Sequence, residues 1–231
     1  MRQKDADGTK VEPFRDEQAG RSTVRGFIHQ PANSSGDTLI LTHGAGGNCE
    51  SPLLLALAEA FSTNGVTVLR CDLPFRQLRP KGRPLGQWAT CDQAGLRRAV
   101  DVFKARTSAK VYLGGHSYGG HQASILAASE PSLVDGLLLL SYPLHPPQQP
   151  TQLRTSHFPA LRTRSLFIQS ANDPFGTAQE LRAALALSPA QTKLMVVKNA
   201  RHELLTEKNS QELPLLISRE FNVLFDQSDH K

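Results

Sequence analysis

Residues 110–120 read KVYLGGHSYGG. A short apolar run, Val111, Tyr112 and Leu113, enters a cluster of small residues, and a helix-like segment, HQASILAAS, follows at once. Inside the cluster Gly115, Ser117 and Gly119 form the pattern G-x-S-x-G. A strand, a sharp bend and a helix in that order put Ser117 at the tip of the bend. Bulky side chains at 115 and 119 would collide there, and the helix N-terminus behind the serine favours negative charge developing nearby. The five-residue pattern alone also occurs in ordinary glycine-rich turns. A buried-strand pattern before it and a helical pattern behind it select the nucleophile reading.

The flanking sequence alternates strand-like and helix-like stretches. Thr38–Thr42 (TLILT) is a short strand that stops at His43-Gly-Ala-Gly-Gly47. Leu53, Leu57 and Phe61 lie on one face of a helix that ends at Asn64-Gly65, a pair suited to a C-cap. Strands are expected at Val66–Arg70, Val134–Tyr142, Ser165–Gln169 and Lys193–Lys198, and helices at Asp92–Thr107, Thr177–Leu187 and Glu212–Phe225. Phe75 to Gly86 and Pro143–Arg162 read as loops, the first rich in proline, glycine and cations. Upstream, Thr23–His29 is a strand whose partner is expected near Lys10–Glu12. Residues 1–9 are expected to be a frayed tail. Strands alternating with helices at this spacing define an α/β fold, a mostly parallel central sheet with helices on both faces. The chain reads as a single domain over 1–231, with no internal repeat.

Composition narrows the class. At 231 residues the chain can bury a sizeable core. No apolar run approaches a membrane span, and the polar start is unlike a secretory signal. A net charge of +5 with 6% aromatics and no nucleic-acid-binding motif argues against nucleic acid as partner. Cys49, Cys71 and Cys91 lack metal-ligand spacing and read as reduced thiols, so a cytoplasmic protein without a metal is expected.

In a parallel sheet, ligands bind beyond the carboxyl ends of the strands. The loops there offer Ser117, then Asp173 in Asn-Asp-Pro, then His202, in that chain order. A hydroxyl needs a base within hydrogen-bond reach, and the base needs an anion to fix its tautomer. His202 is the best base; His43 is its strongest rival, though better suited to supporting the glycine loop. His116 reads as packing, and His145 as an alternative base or a wall residue of the pocket. Asp72 and Asp135 are weaker alternatives to Asp173. Backbone N–H groups of Ala45 and Tyr118 are the natural oxyanion donors. HGAGG lacks the lysine and Ser/Thr of a phosphate-binding loop. The cations between Arg70 and Arg83 read as a solvated surface loop; the other reading is that Arg76, two residues after Pro74, borders the site and grips an anionic group of the substrate.

On these strings the sequence resembles the α/β-hydrolase superfamily across nearly its full length. Within that superfamily it looks like the small, lid-poor, dienelactone-hydrolase-like group. LTHGAGG, VLRCDLPFR, LGGHSYGG, LLLLSYPLHPP, SANDPFG and NARHEL make it look closest to the testis-expressed and KANSL-type predicted hydrolases. The resemblance implies an α/β-hydrolase fold with a minimal lid, with the nucleophile on Ser117, the acid on Asp173 and the base on His202. The chain departs from a dienelactone hydrolase proper, which carries cysteine at the place of Ser117. The expected activity is hydrolysis of an ester or thioester of a small molecule through an acyl-enzyme, with no cofactor and no membrane. The alternative is a non-catalytic interaction or scaffold protein on the same fold.

Overall fold

The alternating strings build one continuous sheet. In the computed structural model, which describes residues 3–4, 8–16 and 23–226, nine strands are hydrogen-bonded side by side. The antiparallel edge is β1 (Gln3–Lys4), β2 (Lys10–Asp16) and β3 (Val24–Gln30), and β3 joins β5 (Thr67–Cys71) antiparallel. From β5 the order runs β4 (Thr38–Thr42), β6 (Val111–His116), β7 (Gly136–Leu140), β8 (Ser165–Ser170) and β9 (Thr192–Val197), all parallel. The expected partner near Lys10–Glu12 is the start of β2, whose register sets Val11 opposite His29. Of the expected frayed tail, Gln3 and Lys4 instead pair with Val11 and Lys10; residues 1–2 and 5–7 lie outside the described residues.

The apolar runs of β4, β6, β7 and β8 are continuous because each of these strands buries both faces. In β7, Leu137 and Leu139 join the core beneath one helical layer, while Leu138 and Leu140 join the core beneath the other. Helices α3 (Ala89–Lys104), α4 (Tyr118–Ser129) and α5 (Ala178–Leu185) contribute Ala99, Ala127 and Leu181 to the first core. Helices α1 (Pro52–Thr63) and α6 (Glu212–Phe225) contribute Leu57, Phe61, Ile217 and Phe221 to the second. The C-cap read at Asn64-Gly65 is present: Gly65 has φ 84° and its N–H donates to the Ser62 carbonyl.

One segment departs from its expected state. Pro74–Leu78 is a short helix, α2, where the chain from Phe75 onward reads as loop. Pro74 occupies its first turn, where a missing N–H costs nothing and the fixed φ is already helical. Five residues are too few to show helical periodicity. The β7–β8 connection, residues 141–164, holds only a 3₁₀ turn at Phe158–Ala160 among its described elements. No helix among the described residues is long and apolar enough to cross a membrane. Among them, too, no group of three His, Cys, Asp or Glu side chains stands ready to hold a metal ion. Cys49, Cys71 and Cys91 are free thiols.

Candidate active site

Ser117 stands between β6 and α4 with φ 50° and ψ −115°, an uncommon backbone state for a residue with a side chain. Its N–H donates to the Leu140 carbonyl at 2.8 Å, tying the bend to the end of the neighbouring strand. The surrounding glycines are a steric requirement. A Cβ at 119 would stand 2.6 Å from the His43 carbonyl oxygen, and one at 115 would stand 2.7 Å from the backbone of Gly119. The bend therefore closes only with small residues, as its spacing suggests.

Three chain-distant side chains converge here. His202 Nε2 lies 2.8 Å from Ser117 Oγ, and His202 Nδ1 lies 2.8 and 3.0 Å from the two oxygens of Asp173. Asp173 is 2% exposed and also accepts the Phe175 N–H at 2.8 Å. A carboxylate only accepts, so the Nδ1 atom carries the hydrogen and Nε2 presents its lone pair to the serine hydroxyl.

The loop holding His202 is itself braced. Its carbonyl accepts from His116 Nε2–H at 3.0 Å and from the Ser141 hydroxyl at 2.5 Å, and the Phe175 ring lies 4.4 Å from the imidazole. Burial holds the His116 pKa below its ordinary value and keeps that ring uncharged. His116 thus does more than pack. Ser141, which follows β7 with φ 48°, had no signal in the sequence beyond its place at a strand end.

The glycine loop is held from within. His43, fully buried, donates from Nδ1 to the Gly44 carbonyl at 2.8 Å and accepts the Leu73 N–H on Nε2 at 3.1 Å. With both ring nitrogens engaged and burial pushing its pKa down to about 4, His43 supports the loop and is no rival base. Ala45 and Tyr118 face the same cavity as Ser117. Tyr118 opens α4, so its N–H has no intrahelical acceptor, and its hydroxyl donates to the buried Asp92 at 2.7 Å.

Arg76 corrects an expectation. The residue is 4% exposed, and its guanidinium donates to the carbonyls of Ala45, Gly47, Arg79 and Gly82 at 2.7–2.9 Å. Those bonds consume the fork that a substrate anion would need, so Arg76 clamps the glycine loop. His145 is a second correction. It is buried, bonds the Pro146 carbonyl through Nδ1, points Nε2 at Glu180 across 3.7 Å, and is absent from the cavity wall. Asp72 accepts the Cys49 N–H, pairs with Arg25 and lies 3.8 Å from His43 Nε2, while Asp135 accepts the Val111 N–H; neither contacts His202, as Asp173 does. The cavity over Ser117 measures roughly 750 Å³, the size of small-ligand sites, and Arg154, Phe175 and His202 are among its walls.

The profile of the family described as alpha/beta hydrolase domain matches residues 35–215. Among solved structures, a dienelactone hydrolase from Anabaena variabilis superposes with a TM-score of 0.74 at 21% identity, covering 93% of this chain and 99% of that one. Est1E from Butyrivibrio proteoclasticus gives a TM-score of 0.72 at 16% identity, over 93% and 99% of the two chains. XC6422 from Xanthomonas campestris, described as an α/β serine hydrolase without a lid, gives 0.73 at 16% identity, over 94% and 97%. At these identities the likeness is one of fold.

Proposed function

The chain belongs to the alpha/beta hydrolase domain family, and from that premise we propose that it is a serine hydrolase cleaving an ester or thioester of a small molecule. One observation carries the proposal: Ser117 Oγ, the His202 imidazole and the Asp173 carboxylate form an unbroken line of contacts at 2.8–3.0 Å, with Ser117 and His202 on the cavity wall and Asp173 buried behind them. Ser117 Oγ attacks the carbonyl carbon as its proton passes to His202 Nε2. Asp173 holds Nδ1–H and stabilises the imidazolium. The tetrahedral oxyanion is received by the N–H groups of Ala45 and Tyr118, each worth about 2.7–4 kcal/mol in such sites. Collapse expels the alcohol or thiol, which takes the proton from His202. Water then repeats the sequence on the acyl-enzyme and releases the acid. The strings SYPLH and LPFR keep the testis-expressed and KANSL-type hydrolases as the group it resembles most, and three free thiols agree with a cytoplasmic setting.

Fluorophosphonate labelling and turnover of short p-nitrophenyl esters test the assignment together. Ser117→Ala is expected to lose both, and His202→Ala to lose turnover, with thermal unfolding nearly unchanged. Asp173→Asn is expected to lower kcat on the order of 10⁴. Ser117→Ala activity within tenfold of wild type would remove Ser117 as the nucleophile. A wild-type protein that neither labels nor turns over ester would leave the non-catalytic alternative in its place.

A further inference from the structure

The cavity over Ser117 has a polar region that acyl transfer does not use, formed by His121, Gln122 and Arg154. Arg154 comes from the β7–β8 connection and is pinned by its own backbone. Its N–H donates to the Leu144 carbonyl at 2.7 Å and its carbonyl accepts the Tyr142 hydroxyl at 2.7 Å. The guanidinium spends one donor, Nη1, on the Pro143 carbonyl at 3.1 Å. Among the described residues no carboxylate pairs with it, and Nε and Nη2 have no acceptor. A guanidinium held partly out of water without a counter-ion is costly, and an anion in the cavity would recover that cost. The pKa of Arg154 is lowered first of all by this burial.

His121 adds a second donor. Gln93 donates to the Gln122 amide oxygen at 2.8 Å, which turns the Gln122 Nε2 toward His121 Nδ1, 3.5 Å away. Nδ1 is thereby the unprotonated nitrogen, and Nε2 carries the hydrogen. Burial, with His157 and Arg154 nearby, pushes the His121 pKa down to about 3, so the ring offers a donor without a charge of its own. Arg76, by contrast, has no such edge to offer, since backbone carbonyls occupy its fork.

We propose that Arg154, with His121 on the same wall, binds a carboxylate on the substrate away from the cleaved bond, so that the substrates are carboxylate-bearing esters or thioesters. The free Nε–Nη2 edge is shaped for the two oxygens of a carboxylate. This rests on the serine-hydrolase assignment above, which the neutral substrates below test by themselves.

Two isosteric pairs test it on the wild-type protein. The half p-nitrophenyl ester of adipic acid against p-nitrophenyl heptanoate sets the charge in the acyl group. The acetate of p-hydroxybenzoate against the acetate of p-hydroxybenzamide sets it in the leaving group. At least one anionic member is expected to exceed its neutral partner in kcat/KM by roughly tenfold or more, the scale of a charge-assisted contact. Added salt should narrow that gap. Arg154→Gln is expected to erase it by raising KM for the anionic ester alone, with neutral esters within twofold, and Arg154→Lys to restore part of it. Neutral esters turned over with no preference in either pair would overturn the proposal and leave the hydrolase standing. So would an equal loss on both members in Arg154→Gln. No turnover of any ester, with no fluorophosphonate labelling, would bring down both. Should Arg154→Gln fold poorly, the wild-type ratio and its salt dependence decide.

Discussion

Arg76, beneath the glycine loop, and Arg154, on the cavity wall, differ in what remains of their hydrogen-bonding capacity. Arg76 donates to four backbone carbonyls, two of them in the glycine loop, and a lysine ammonium cannot reach points so far apart in sequence and direction. Arg76→Lys and Arg76→Ala should therefore lower the unfolding free energy measured in urea by more than about 2 kcal/mol, since each buried carbonyl left without a donor costs about 1–3 kcal/mol. They should also lower kcat on neutral and anionic esters by the same factor, because the Ala45 N–H moves with its loop. A loss confined to anionic esters would return Arg76 to the role the sequence suggested. That role was read from position alone: a cation just past a strand end lies near the site, but whether its donors are free depends on carbonyls from residues 45, 47, 79 and 82. Nothing in a linear string reports where those carbonyls point. The same reason hid Ser141 and the second role of His116, both of which act on the His202 carbonyl from other strand ends. Ser117, Asp173 and His202 were legible because strand-end position and chain order constrain them independently of side-chain packing.

Among the elements, those buried on both faces were the easiest to read. TLILT is β4 residue for residue, whereas the strand expected at Val134–Tyr142 is confined to Gly136–Leu140, the fully buried centre of that run. Helix α2 and the antiparallel edge were harder: a five-residue helix shows no period, and β2 is half-exposed along most of its length. The β7–β8 connection has a consequence for substrate size. Its described residues carry one 3₁₀ turn and no further helix, and they leave the cavity bordered by Pro143 and Arg154. Without an apolar cover, a long acyl chain gains little burial beyond the cavity mouth; each buried CH₂ would be worth about 0.8 kcal/mol only where it leaves water. Acetyl and butyryl p-nitrophenyl esters are therefore expected to match or exceed the palmitoyl ester in kcat/KM, with no jump in rate at the micelle threshold. A steep rise toward palmitoyl would show that an apolar tunnel receives the chain.

The whole molecule carries an unusual load of buried imidazole, and this ties its stability to pH. Burial pushes His29, His43 and His157 down to about 4 and His121 to about 3. In the unfolded chain each would titrate near 6.5. Above that pH both states are neutral and these residues contribute no pH dependence. As pH falls below it, the unfolded chain takes up protons that the native state refuses, so stability drops until the native pKa is reached. Each histidine contributes up to about 1.4 kcal/mol per pH unit in that window. The consequences differ by place. His43 lies beneath the glycine loop, so its protonation would break the contact from the Leu73 N–H, whereas His29 lies on β3 and accepts from Arg70 Nε at 2.9 Å. A charged His29 would face that guanidinium directly. Urea unfolding followed from pH 7 to pH 4.5 should show a midpoint that is flat above about 6.5 and falls steadily below it. In His29→Gln the amide oxygen can still accept from Arg70 without titrating, so the slope below 6.5 should shrink by the share of one proton, about 1.4 kcal/mol per pH unit at most. A midpoint that stays level down to pH 4.5, or a His29→Gln slope identical to wild type, would mean that His29 stays open to protons in the folded state.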